Sequence, residues 1–326
     1  MSSFKQFMEV TRGYSVLMTF ASCIVIYAYA HLHDNFTYLN FFFLILALVC
    51  VHLGANLYDD WQDVKQRLKK GEKLEEIKFA GFSPKARLIT NGTYSIQQIR
   101  RAIGIFFIIA TSIGLCFGIA SGPIVFLFML IGALLTLVYP FASKYSLAEV
   151  IVGLIWGPLV IMGGYCALTG EIQMKLFPLS FAIFFTTVAL LHVNNIMDWE
   201  FDKENGKNTL AILAKTKPDA IKLLQAMVII PYIILIGGVL AGVYTPYILL
   251  TFLTLPMAIK LISSMKEYIE IKDVKFIPKW YLGIFENWKA IQEQKIDFLM
   301  FRMYLARNLS FFFALFMTLG LILGGK

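Results

Sequence analysis

Nine apolar runs, each long enough to cross the ~30 Å hydrocarbon core of a bilayer as a helix, constrain what this chain can fold into more than any other feature. They lie at about Gly13 to His31, Asn40 to Tyr58, Ala102 to Ala120, Pro123 to Phe141, Glu149 to Leu168, Phe177 to Asn195, Leu223 to Val243, Tyr247 to Ser264 and Leu309 to Leu323. Hydrocarbon offers backbone groups no water, so a spanning segment must satisfy its own hydrogen bonds, and runs of this length do so as helices. With 58% hydrophobic and 15% charged residues over 326 positions, little remains for a water-soluble domain. The expected fold is therefore all-α, a polytopic membrane protein forming one domain over 1–326. Met1 to Arg12 precede a run that no small-residue cleavage pattern closes, so that run is counted as a span and not as a signal peptide.

The basic residues sort by side. Lys65 to Arg101 follow the second run, Lys144 the fourth, Lys203 to Lys222 the sixth and Lys266 to Arg307 the eighth; only Lys175 and Lys326 of the 29 Lys and Arg fall on the other side. The positive-inside rule puts the N-terminus and the even-numbered connections in the cytoplasm, with the chain in the cell membrane. The net charge of +8 follows from this asymmetry, and no basic-aromatic interleaving of a nucleic-acid module is present. Cys23, Cys50, Cys116 and Cys166 sit singly inside apolar runs and read as reduced packing residues. Trp288 to Arg307, where apolar positions interleave with Lys289, Lys295 and Arg302, reads as a helix lying in the membrane interface or as a lid over the site.

Two of the cytoplasmic run ends are acidic. Asn194, Asp198 and Asp202 are spaced i, i+4, i+8, within roughly 80° of arc on a helix; Asn56, Asp60 and Asp63 lie within roughly 60°, with Asp59 beside them. Carboxylates and amides on such stripes are costly to desolvate, and a cation is their natural partner. An all-oxygen donor set suits Mg²⁺, which takes one or two carboxylates together with water and substrate phosphates; Zn²⁺ would call for Cys or His. A diphosphate substrate follows, and Asp59-Asp60-Trp61-Gln62-Asp63 is a DDxxD string of the kind that holds Mg²⁺ in isoprenoid diphosphate enzymes. An ion-coupled transporter is the rival class, but its ion-binding carboxylates would be expected near the bilayer midplane.

These motifs, together with Arg87-Leu88-Ile89-Thr90-Asn91-Gly92, Tyr139-Pro140 and Lys144, Gly157-Pro158, Gly163-Gly164 and Gly206-Lys207-Asn208-Thr209-Leu210-Ala211, resemble the UbiA superfamily of intramembrane aromatic prenyltransferases over nearly the whole chain. The compact Asp60 to Asp63 motif and the Gly206 to Ala211 string look most like its 1,4-dihydroxy-2-naphthoate polyprenyltransferases of menaquinone synthesis. Two departures stand out: Arg12-Gly13 occupies the place of an Arg-Pro-Lys-Thr-like string, and Tyr139 and Lys144 are one residue further apart than YxxxK.

The resemblance implies helices around a central cavity with cytoplasmic cap loops. It implies Mg²⁺-dependent ionisation of a polyprenyl diphosphate and attack by an aromatic acceptor, 1,4-dihydroxy-2-naphthoate first, with 4-hydroxybenzoate or another quinone precursor as the alternative. Asn56, Asp60, Asp63, Asn194, Asp198 and Asp202 are the expected metal ligands, with Asp59 a further catalytic candidate. Arg87, Lys144 and Lys207, with Asn56 and Asn194, are expected on the diphosphate. Phe41 to Phe43 and Phe184-Phe185 are candidate walls for the allylic cation. Asp59, Glu149, Tyr139, His52 and His192 are open as the base for the acceptor hydroxyl, the two histidines reading first as packing residues.

Overall fold

The computed structural model describes residues 3–74, 77, 87–271 and 276–325, apart from the side chains of 3–5, 87 and 88. Among these residues there is no strand, and nine helices are long and apolar enough to cross a membrane: α1 Gly13–Ala30, α2 Tyr38–Lys69, α3 Ile96–Ser121, α4 Pro123–Tyr145, α5 Ala148–Thr169, α6 Leu176–Met197, α7 Lys217–Leu240, α8 Pro246–Glu270 and α9 Asp297–Leu323. All nine expected spans are present. Consecutive helices pack side by side and α9 closes the ring against α1, with α6 also touching α9 and α5 touching α1. Burial follows this arrangement: 67% of the apolar window of α6 is inside the protein against 17% of that of α4, so α6 belongs to the inner wall and α4 faces outward.

Local sequence sets the ends. Thr37 caps α2 by accepting from the Asn40 N–H at 3.1 Å, and Arg67 and Lys69 meet the negative end of its dipole. Thirty-two residues make α2 ~48 Å long, well beyond the hydrocarbon core, and its acidic motif lies in the C-terminal half. Ser95 and Gln98 form a reciprocal capping box at the start of α3. In α5, Pro158 lacks an N–H, and Ile155–Leu159 widens into a single π turn. Gly157 lies within that turn, where a Cβ would come 2.5 Å from the Ser180 carbonyl oxygen; the glycine lets α5 approach the backbone of α6.

The ninth span corrects the expectation for Trp288 to Arg307. Only Trp288–Glu293 is a separate short helix, and α9 begins at Asp297, twelve residues before the apolar run. Arg302 and Asn308 find partners inside the protein, although Arg302 Nη2 and Arg307 Nε are buried without a hydrogen bond. Arg302 is fully buried, donates to the carbonyls of Ser264 (2.9 Å) and Phe298, and stacks over Tyr268 and Phe276. Asn308 donates to the carbonyls of Leu282 and Ile284, both at 3.0 Å. This stretch is cavity wall and helix packing, not a helix lying on the membrane surface.

Candidate active site

Both acidic motifs open onto one cavity of about 480 Å³. Because α2 continues unbroken through its motif, Asn56, Asp59 and Asp63 recur every three or four residues along one wall. Asp60 is one position round the helix, 2% exposed and off the cavity lining. It faces Arg12, a residue outside both acidic motifs. Arg12 sits in a left-handed turn (φ 52°) just before α1; its Nη2 donates to the Asn56 carbonyl and to Asp59 Oδ2, both at 3.0 Å, and lies 3.1 Å from Asp60 Oδ1. Burial alone would lower the Arg12 pKa, but Asp60 and Asp59 outweigh it and hold the group above its ordinary value. The Asn56 amide nitrogen donates to the Thr11 carbonyl (3.0 Å) and Ser15 Oγ (3.2 Å), which fixes the orientation of its Oδ1.

The second motif crosses a helix junction. Although α6 ends at Met197 and a short helix Trp199–Glu204 follows, Asp198 N–H bonds the Asn194 carbonyl and Asp202 N–H bonds the Asp198 carbonyl, both at 2.9 Å. The helical register therefore survives, and Asn194, Asp198 and Asp202 all line the cavity. Asn194 Oδ1 is buried and accepts no hydrogen bond. Lys207 Nζ stands 3.8 Å from Asp202 Oδ1, and Lys144 lines the cavity with an exposed side chain. Arg67 Nη2 donates to Asn205 Oδ1 at 3.1 Å, tying the end of α2 to the turn behind the second motif. The Arg87 side chain lies outside the described residues.

The walls differ from expectation. Trp156 and Ile155 of the π turn, Leu190 of α6, and Met300 and Met303 of α9 line the cavity, whereas Phe41 to Phe43, Phe184 and Phe185 do not. Phe42 and Phe43 are exposed on the outside of the bundle, and Phe184 and Phe185 pack on the core. Of the candidate bases, His192 is fully buried off the cavity with Nε2 2.9 Å from the Ala220 carbonyl, a pin between α6 and α7. His52 lines the cavity, but its two nitrogens are each 2.8 Å from a hydroxyl, Ser15 and Thr19, and its ring lies against Trp156. Asp59, Tyr139 and Glu149 also line the cavity.

The two stripes thus bring four lining carboxylates and two amides to one space from two walls, with Arg12, Lys144 and Lys207 around it. Among the described residues no three His, Cys, Asp or Glu side chains gather closely enough to enclose an ion by themselves. Split donor walls of this kind suit a hard cation whose remaining ligands come from water and a bound polyanion.

The sequence profile of the UbiA prenyltransferase family matches residues 16–273. A 1,4-dihydroxy-2-naphthoate octaprenyltransferase from Bacillus subtilis (strain 168) is 26% identical over 272 residues, covering 80% of this chain and 81% of that protein. The human UbiA prenyltransferase domain-containing protein 1 is 38% identical over 121 residues, 36% of this chain and 34% of its own length. Among solved structures, the apo form of a UbiA homologue from Aeropyrum pernix K1 superposes with a TM-score of 0.60 at 15% identity, covering 96% of this chain and 98% of the other. A UbiA homologue from Archaeoglobus fulgidus bound to GPP and Mg²⁺ gives a TM-score of 0.59 at 15% identity, covering 97% and 99%. At such identity the likeness speaks for the fold.

Proposed function

Because this chain belongs to the UbiA prenyltransferase family, we propose that it transfers a polyprenyl group from an allylic diphosphate to 1,4-dihydroxy-2-naphthoate, with Mg²⁺ as cofactor, at the cytoplasmic face of the cell membrane. The observation that carries the reading is the convergence of two acidic stripes, 138 residues apart at Asn56 and Asn194, on one cavity with an apolar inner wall. The donor chemistry fits Mg²⁺: Asn194 Oδ1 is buried without a partner, and Asn56 has its nitrogen bonded elsewhere. Asn56, Asp59, Asp63, Asn194, Asp198 and Asp202 would hold the ion, and Asp60 holds Arg12. Bound there, Mg²⁺ supplies neutralisation of the charge that collects on the departing diphosphate.

The chain's own groups do the rest. Lys207 and Lys144 bind phosphate oxygens and orient the scissile C–O bond toward the interior. Trp156, with Ile155 and Leu190, excludes water from the allylic carbon and presents a π face to its developing positive charge. The ring carbon bearing the acceptor's carboxylate attacks that carbon, and the carboxylate leaves as CO₂. The Bacillus subtilis relative, matched over four-fifths of this chain, supports the naphthoate acceptor. The distribution of basic residues supports the orientation.

The test is a competition. Purified protein is given a polyprenyl diphosphate with 1,4-dihydroxy-2-naphthoate, 4-hydroxybenzoate and homogentisate together, and the lipid product is weighed by mass spectrometry. A demethylmenaquinone mass, with CO₂ released in step with pyrophosphate, is expected. Prenylated 4-hydroxybenzoate that keeps its carboxylate, without CO₂, would overturn the assignment of the acceptor.

A further inference from the structure

At the start of α5 a carboxylate is buried with its two oxygens treated unequally. Glu149 is 2% exposed; its Oε1 accepts from Asn195 Nδ2 at 2.5 Å and from the Leu210 backbone N–H at 2.9 Å, while Oε2 is buried and accepts nothing. One carboxylate oxygen has lone pairs for two donors, and both bonds are charge-assisted.

The two donors belong to different parts of the site. Asn195 stands next to Asn194 and three residues before Asp198, in the last turn of α6. Leu210 opens the short helix Leu210–Leu213, directly after the irregular strap 205–209 that carries Lys207. That strap is also held elsewhere: Arg67 Nη2 donates to Asn205 Oδ1 and the Lys207 N–H to the Asp202 carbonyl, and at the end of α4 the Asn208 N–H donates to the Ser143 carbonyl at 2.8 Å and Asn208 Nδ2 to the Lys144 carbonyl at 3.0 Å. What sets Glu149 apart is that it grips α6 and the strap through the same atom.

We propose that Glu149 is a positioning residue whose carboxylate sets the second acidic stripe and the Lys207 strap against each other, so that a diphosphate meets Asp198, Asp202 and Lys207 already arranged. The proposal rests on the transferase reading above.

The test uses the full chain in detergent and three variants: Glu149→Ala, Glu149→Gln and Leu210→Pro. Leu210→Pro removes the N–H from the other side of the bond. Leu210 is the first residue of its helix, where Pro is tolerated, and Thr209 before it is extended (φ −88°, ψ 166°), as a residue preceding Pro should be. In Glu149→Ala and Leu210→Pro the KM for the allylic diphosphate should rise about tenfold or more, the effect of one lost charge-assisted hydrogen bond, with the KM for the acceptor within about threefold of wild type. Tryptic cleavage at Lys207, measured without substrate or Mg²⁺, should quicken by a similar factor. Glu149→Gln keeps an oxygen acceptor without its charge and should fall between wild type and Glu149→Ala in both readouts.

Unchanged KM and cleavage in the Ala and Pro variants would overturn the proposal. So would a Gln variant that loses kcat with KM and cleavage intact, since the carboxylate would then act on substrate and not through its neighbours. If Glu149→Ala does not fold, the Pro and Gln variants decide. Absence of prenyl transfer in wild type would count against the function proposed above, while the cleavage readout would still decide whether Glu149 fastens the strap.

Discussion

Replacing Arg12 with Ala removes one guanidinium nitrogen that contacts the Asn56 carbonyl and Asp59 Oδ2 at 3.0 Å and Asp60 Oδ1 at 3.1 Å. At an effective dielectric of about 20, each charge contact at that distance amounts to about 5 kcal/mol before the guanidinium's own desolvation is subtracted. Breaking a buried pair by removing one partner costs about 3–5 kcal/mol net, because the other charge stays buried. Here two carboxylates stay behind, 5% and 2% exposed, so the loss belongs in that range and not among surface pairs. On a scale of about 2 °C per kcal/mol for a large chain, the unfolding midpoint in detergent should fall by roughly 6–10 °C. Arg12→Lys keeps the charge and three hydrogens on one nitrogen and should recover at least half of the loss. The assay is thermal unfolding followed by tryptophan fluorescence, with and without millimolar Mg²⁺. The Ala variant should gain more from Mg²⁺ than wild type, because the Arg12 guanidinium no longer competes with the cation for Asp59. A midpoint within about 1 °C of wild type, with an unchanged Mg²⁺ response, would refute the reasoning.

Asp198→Ala should lower Mg²⁺-dependent pyrophosphate release by about 10²-fold or more while leaving the protein folded, since Asp198 sits at a helix junction on the cavity wall and contributes little packing; near-normal turnover would sink the two-stripe site. Cysteines placed at 70 and 215 should be labelled from the cytoplasmic side of intact cells and one at 175 only from outside. Labelling of 70 and 215 from opposite faces would be incompatible with both motifs opening on one cavity.

The spans were legible because hydrocarbon leaves so few options that twenty apolar residues in a row nearly determine a helix. The start of α9 was not, because Arg302, Arg307 and Asn308 look like solvated residues until their partners are known, and those partners are backbone carbonyls and side chains more than twenty residues away in α8 and in the 282–286 segment, besides Phe298 close by. The acidic stripes were legible from i, i+4 spacing alone. Which of Asp59 and Asp60 faces the cavity depends on the rotation of α2, and a 60° stripe does not resolve neighbours. Arg12 left one weak signal, a cation directly before an apolar run. Its left-handed backbone, which turns it back onto α2, is not written in residue type, since Arg seldom adopts that conformation. The aromatic walls were misplaced because a Phe-rich run looks the same whether it faces lipid or a cavity.

The closure of the ring by α9 has a consequence for biogenesis. Leu299, Met300, Met303, Tyr304 and Arg307 of that helix complete the cavity, and they are translated after every other part of it. Until the ribosome has delivered them, α2 and α6 stand in the bilayer with their acidic stripes beside an open seam where α1 awaits its neighbour. An interval of this kind is a window for misassembly or recognition by membrane quality control, and chains stalled before residue 297 should be cleared as unfinished and not accumulate as partly active enzyme.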